Sequence, residues 1–214
     1  MIIDRRLFIA GLGALAVAPA QAALPVPASR LLAFDVVRKG KKIGSHVLRF
    51  EPSGGDLKVL IDVMLKVSFG PITFFNYKHD AVELWRGGEW LSVEATTVQN
   101  GKTMRVTARR TGAGVAVDGP KGKYVAPANT LAATHWNRRM LDGPFLNTQT
   151  GEVQRPKIDR RGEVMIAART GPIRADHYAM SGEVALDTYY DQGPTWAGLS
   201  FKGGDGSAIS YQRA

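Results

Sequence analysis

LKVLIDVMLKVSF, residues Leu57–Phe69, decides the fold. Every odd position is apolar: Leu57, Val59, Ile61, Val63, Leu65, Val67 and Phe69. Lys58, Asp62, Lys66 and Ser68 fall on even positions. Period two is a strand pattern, because a helix would spread these apolar residues around all of its sides. At ~3.3 Å per residue the strand runs roughly 40 Å, about twice the usual length. A strand of that length belongs to a strongly bent or barrel-like sheet, and its odd face needs cover.

The residues on either side repeat the pattern. Leu31–Arg38 and Ile43–Glu51 flank Lys39-Gly40-Lys41-Lys42 as a hairpin, with Gly44, His46, Leu48 and Phe50 on one face of the second strand. Phe74–Trp85 follows the long strand. Its odd face, Phe75, Tyr77, His79, Ala81, Glu83 and Trp85, is aromatic and partly polar. Asn100-Gly101, between Trp90–Gln99 and Lys102–Arg110, has the chemistry of a type I′ turn. Met104, Val106 and Ala108 should face inward, and a short strand follows in Gly112–Gly119. The final third is a second β series: Gly151–Lys157, Gly162–Arg169, Ile173–Gly182, Glu183–Asp191, Trp196–Lys202 and Ser207–Gln212. The expected fold is all-β. It is a single, strongly curved antiparallel sheet forming an open or nearly closed barrel, with at most one short helix.

Residues 120–150 interrupt the rhythm. Pro120, Gly122, Pro127 and Asn129 read as loop, and Thr134–Leu141 as one helical turn stopped at Gly143-Pro144. Such an excursion is either a lid over a binding site or a plug in one end of the core, with Trp136 and Leu141 as pegs.

Of the 214 residues none is cysteine, which excludes disulfides, thiolate metal sites, lipobox lipidation and cysteine nucleophiles. Residues 1–22 read as a cleavable signal peptide: Arg5-Arg6 and Phe8, an apolar run too short to span a membrane, then Ala20-Gln21-Ala22 at the peptidase site. The paired arginines resemble a twin-arginine export signal; otherwise they are the positive start of a general secretion signal. Residues 23–214 then form one exported domain, periplasmic and without a stable transmembrane segment. The formal charge is +9, of which Asp4, Arg5 and Arg6 supply +1, leaving +8 on that domain. This charge suits an anionic envelope component or a lipid headgroup, or serves only solubility. Scattered basic residues without a recognition motif argue against nucleic acid.

GxSxG, P-loop and HExxH motifs are absent. The four histidines, His46, His79, His135 and His177, lack metal-ligand spacing, and no cofactor is expected. A hydrolase or isomerase would need a cross-strand histidine within ~3 Å of a carboxylate inside a cleft. The aromatic residues are more suggestive. Phe75, Tyr77, His79 and Trp85 on one wall, with Tyr178, Tyr190, Trp196 and Phe201 opposite and Trp136 from the excursion, would hold an apolar or amphiphilic ligand such as a lipid or acyl chain. The same residues could instead be a packed core. A cavity-free interaction or scaffold module is then the alternative.

Several of these segments resemble landmarks of an uncharacterised bacterial envelope family. They are Lys42-Ile43-Gly44-Ser45-His46, the run Tyr77-x-His79-x-x-x-Glu83-x-Trp85, Asn100-Gly101 and Leu146–Gly151. The ending Tyr189-Tyr190-Asp191, Leu199-x-Phe201 and Asp205-Gly206-Ser207-x-Ile209-x-Tyr211 is another. That ending is also similar, more loosely, to the lipoprotein carriers LolA and LolB. The likeness implies a half-open antiparallel sheet around acyl chains and transfers no ligand residue.

Overall fold

A computed structural model describes residues 23–69 and 72–214, so the expected export signal (Arg5, Arg6, Phe8) and peptidase site (Ala20, Ala22) lie outside the described residues. The first arm contains β1 Leu31–Arg38, β2 Lys41–Ser53, β3 Asp56–Phe69, β4 Ile72–Arg86, β5 Glu89–Gln99, β6 Lys102–Thr111, β7 Gly114–Gly119 and β8 Gly122–Ala126. Three two-residue strands follow: β9 Leu131–Ala132, β10 Phe145–Leu146 and β11 Val153–Gln154. The second arm contains β12 Lys157–Ile166, β13 Ile173–Ser181, β14 Leu186–Asp191, β15 Trp196–Lys202 and β16 Ala208–Arg213.

The two arms form one 13-stranded sheet in the order β12-β13-β14-β15-β16-β1-β2-β3-β4-β5-β6-β7-β8. Every pairing in it is antiparallel. The last strand returns to the first, β16 on β1, so the edges are β8 and β12. These edges do not pair with each other, and the barrel stays open along that seam. At the β12 edge Lys157, Arg160 and Arg161, with a bulge between Arg160 and Gly162, discourage further strand addition.

On β3, Leu57, Val59, Ile61, Val63 and Leu65 are buried, Val67 is half-buried, and Lys58, Met64 and Lys66 are exposed. Each such burial contributes roughly 1.5–3 kcal/mol, so a one-residue slip that turned Lys58, Asp62 and Lys66 inward is heavily penalised. Asn100 and Gly101 have φ of 48° and 83°, as the hairpin requires. Inward Val106 and Ala108 are buried, and Met104 is half-buried.

Residues 120–169 differ from expectation in three ways. Gly122–Ala126 is a strand, paired to β7 across a tight turn that reads as loop in isolation. The helical turn is a 3-10 turn at Arg138–Asp142, not Thr134–Leu141. A φ of 65° at His135 stops a helix from starting earlier, and the Asn137 side chain caps the turn by accepting from the Arg139 amide at 3.1 Å. Finally, the strands expected at Gly151–Lys157 and Gly162–Arg169 are redrawn as β11 and β12, because β12 runs through Gly162 as a bulge.

The excursion between β8 and β12 lies across the concave interior. Trp136 packs edge-on against Phe50 of β2 and Trp85 of β4, each ring pair 5.3 Å apart. The neighbouring His135 stacks on Trp196 of β15 at 5.5 Å. Its carbonyl accepts a 2.8 Å bond from the Tyr190 hydroxyl of β14. Arg138 donates to the Tyr178 hydroxyl of β13 at 2.8 Å. Strands far apart in the sheet order thus touch consecutive residues of one segment, which requires the sheet to curl around it. Trp136 and Met140 are the buried pegs, whereas Leu141 is half-buried.

Gly44 of β2 sits where the curl brings backbones together. A Cβ there would lie 1.9 Å from the Met64 carbonyl oxygen of β3. The constraint is space against backbone, which cannot swing aside as a side chain can. Gly44→Ala is expected to lower stability by about 1–3 kcal/mol. It should read out as a reduced urea midpoint, and an unchanged midpoint would mean the β2–β3 contact is looser than described.

Candidate functional site

The strand registers set the inner surface in cross-sheet rows. Phe50, Val59, Glu83 and Val93 form one row, and Leu48, Ile61, Ala81 and Ala95 the next. His46, Val63, His79 and Thr97 follow, then Gly44, Leu65, Tyr77 and Gln99. The excursion fills the space over the first of these rows. Over the last two it leaves a cavity of about 490 Å³.

One wall of the cavity is β3 and β4, with Val63, Leu65, Phe75, Tyr77 and His79. Phe75, Tyr77 and His79 stack in a column along β4, with ring centroids 6.1 and 6.3 Å apart. The opposite wall comes from the second arm through Leu186, Leu199, Phe201 and Tyr211. The excursion supplies Thr134, His135, Phe145, Thr148 and Gln149 between them. Phe75, Leu186 and Phe201 are half-buried, whereas His46, His79 and Thr134 are buried. Polar and apolar groups alternate at depth, since His46, His79, Thr134 and Thr148 are buried beside Ile61, Val63, Leu65, Phe145 and Leu199.

His79 is bonded at both ring nitrogens: Nδ1 to the Thr97 hydroxyl at 2.8 Å and Nε2 to the Thr148 hydroxyl at 3.3 Å. His46 has only ring contacts, to Trp196 at 5.1 Å and Tyr211 at 5.7 Å, and neither of its nitrogens has a protein partner. Nδ1 of His135 is also unpartnered. Burial disfavours the imidazolium at all three. It pulls His46 down to about 3, helped by His135 and His79 nearby, and His79 and His135 down to about 4. Burial also pushes the Tyr77 phenol up to about 12. Around neutral pH the site is thus lined by uncharged donors and acceptors. Nearer solvent, the Tyr77 hydroxyl donates to Gln149 at 3.3 Å, and Gln149 donates to Gln99 at 3.0 Å.

Of the aromatic residues singled out from sequence, Phe75, Tyr77, His79 and Phe201 face the cavity, whereas Trp85, Trp136, Tyr178, Tyr190 and Trp196 do not line it. Those five hold the excursion in place. Two of the indoles donate to Oε2 of the fully buried Glu83, Trp85 at 2.7 Å and Trp136 at 3.1 Å. Burial raises Glu83 above the ordinary carboxylate value, and Thr134, Trp85 and Trp136 pull the other way. His46 and His135 were missed as lining residues. The alternation that puts His46 on one face with Leu48 and Phe50 was the available signal for the first; an irregular segment has no such signal.

Among the described residues, His177 of β13 meets a carboxylate, Asp187 of β14, at 2.6 Å. It stands beside Tyr189 on the outer face, away from the cavity. No three His, Asp or Glu side chains among the described residues converge as metal ligands do. No helix among them is long and apolar enough to cross a membrane.

Residues 34–214 match the family model described as a domain of unknown function, DUF6134. The chain belongs to the DUF6134 family. No curated protein matches it. The DUF6134 fold is similar to the crystal structure of a beta-barrel-like protein of another domain of unknown function, DUF1849, from Brucella abortus. The TM-score is 0.60 at 8% identity, covering 86% of this chain and 94% of that one. The likeness bears on fold alone, and it agrees with an all-β, barrel-like sheet. β1 from Phe34 onward, every later strand of the two arms, and every cavity-lining residue named above fall within the matched span.

Proposed function

We propose that this DUF6134 protein is an exported, soluble periplasmic protein that binds an apolar or amphiphilic ligand, a lipid or acyl chain, between the two arms of its sheet. The observation that carries this reading is the cavity of about 490 Å³ left between β3–β4 and β14–β16. That volume falls in the range of roughly 300–1,000 Å³ typical of small-ligand sites. The lining combines aliphatic and aromatic walls with a few convergent polar groups, the composition such sites share. Residues 1–22, with Arg5-Arg6 and Ala20-Gln21-Ala22, support export by the twin-arginine machinery. The loose likeness of the chain's ending to LolA and LolB is in keeping with an acyl-chain carrier. The net positive charge of residues 23–214 favours approach to an anionic envelope component.

Native mass spectrometry and lipid extraction of protein purified from the envelope fraction test the proposal, together with titration by a fluorescent fatty acid. A bound amphiphile and saturable fluorescence are expected. Leu186→Trp, which fills the cavity from a half-buried wall position, should remove both. A clean ligand-free mass with no fatty-acid binding would overturn the proposal and favour a scaffold that works through its surface.

A further inference from the structure

His46 is 6% exposed, lies on the cavity wall, and has no protein partner at either ring nitrogen. A neutral imidazole carries one N–H donor and one nitrogen acceptor. Leaving both unanswered in a buried site is costly, and few native side chains do so without a ligand or water to answer them. The groups that could have satisfied it are committed elsewhere or present the wrong atoms. Val63, its register partner on β3, is apolar, and His79, one strand further, is bonded to Thr97 and Thr148. Trp196 and Tyr211 meet His46 through their rings. His135, facing it from the excursion, has an unpartnered nitrogen of its own. An apolar wall therefore ends on two neutral imidazoles with open hydrogen-bonding positions.

We propose that His46 and His135 seat the polar end of the bound amphiphile, and that this end is an uncharged hydroxyl, as in a long-chain alcohol. This rests on the ligand-binding reading above. A hydroxyl both donates and accepts, so it answers both kinds of position at once. A carboxylate only accepts; it would leave the imidazole acceptor unpaired or require a proton to be taken up into a buried site. No fixed cation lines the cavity to offset such a charge: its titratable lining is His46, His79, His135, Tyr77 and Tyr211. His46 is buried whereas Phe75, Leu186 and Phe201 are half-buried, so a head seated on His46 leaves the tail to run along those three.

Dodecanol, dodecanoate and dodecane share one tail and differ at the head, so calorimetry or displacement of a fluorescent probe at neutral pH separates the possibilities. Dodecanol should bind about tenfold more tightly than either of the others, the value of one buried polar group gaining its partners. His46→Leu should remove that preference while leaving dodecane binding within about twofold, and His46→Gln, which keeps a donor and an acceptor, should restore part of it. The three wild-type affinities stand even if a variant fails to fold. If dodecanoate equals or exceeds dodecanol, with or without proton uptake, the site takes an acidic head; the hydroxyl proposal fails while ligand binding stands. Equal affinities for all three, unchanged by His46→Leu, would mean that water answers the imidazoles, and the proposal fails again. If none of the three binds, the ligand-binding reading falls and takes this inference with it.

Discussion

Acidification from about pH 7 to about pH 5 is expected to cost this fold several kcal/mol, because each of three desolvated histidines loses about 2 kcal/mol of differential stability over that range. In the folded protein His46 titrates at about 3, and His79 and His135 at about 4, against an ordinary value of 6.5. Their contribution to stability is fully present above that ordinary value. Below it the unfolded chain takes up protons that the folded chain refuses, so stability drains away as pH falls toward the folded values. Glu83 works in the opposite sense. A raised carboxylate contributes most below its unfolded value and loses that contribution as pH rises, so it offsets part of the loss at the acid end. One such group against three leaves acid destabilisation dominant. A domain with ~5–15 kcal/mol in hand should then unfold in mild acid. Urea midpoints measured across this range test the account. His79→Gln should take about one proton's worth out of the slope, and a midpoint that does not move between neutrality and mild acid would show that the histidines are solvated.

What could be read in advance, and what could not, follows from the range of the signal. The alternation in β3 is local: thirteen residues suffice to say which atoms face the core, and Leu57 through Leu65 are buried as that alternation requires. Asn100-Gly101 is local in the same sense, since two residues determine the turn. The row His46–Val63–His79–Thr97 is not local. It exists because three separate registers align, and each register depends on turn lengths and bulges, such as the slip between Val67 and Ser68 on β3 or between Leu84 and Trp85 on β4. The joining of β16 to β1 is further still from anything periodic. The aromatic residues show the limit most clearly. Alternation alone gives Phe75, Tyr77 and Trp85 one common wall, and all three do share the inner face of β4. The excursion then divides that face, leaving open space over Phe75 and Tyr77 and filling it over Trp85 with Trp136. Where an irregular segment seats itself depends on tertiary packing and on hydrogen bonds to a buried carboxylate, neither of which has a period.

Trp136→Ala should be the most damaging single truncation in the excursion. The indole is fully buried, packs edge-on against Phe50 and Trp85, and donates to Glu83. Removing a ring of that size from a packed interior costs about 3–5 kcal/mol. The loss is compounded because Glu83, with no exposed surface, keeps its desolvation cost while one of its donors disappears. Trp136→Phe separates the two effects. It keeps most of the packing but has no N–H, so its cost should be about 1–3 kcal/mol and should grow as pH rises and the carboxylate is forced to ionise. Trp136→Ala should also weaken ligand binding under conditions where it remains folded, because the neighbouring Thr134 and His135 line the cavity. Hydrogen exchange gives the deciding readout. If the excursion holds the two arms together, amides of β13–β15, which contact it through Tyr178, Tyr190 and Trp196, should lose protection in Trp136→Ala together with those of β2 and β4. Loss confined to β2 and β4 would mean that the second arm is held by its β16–β1 seam alone, and that the segment across the interior fills space without bracing it.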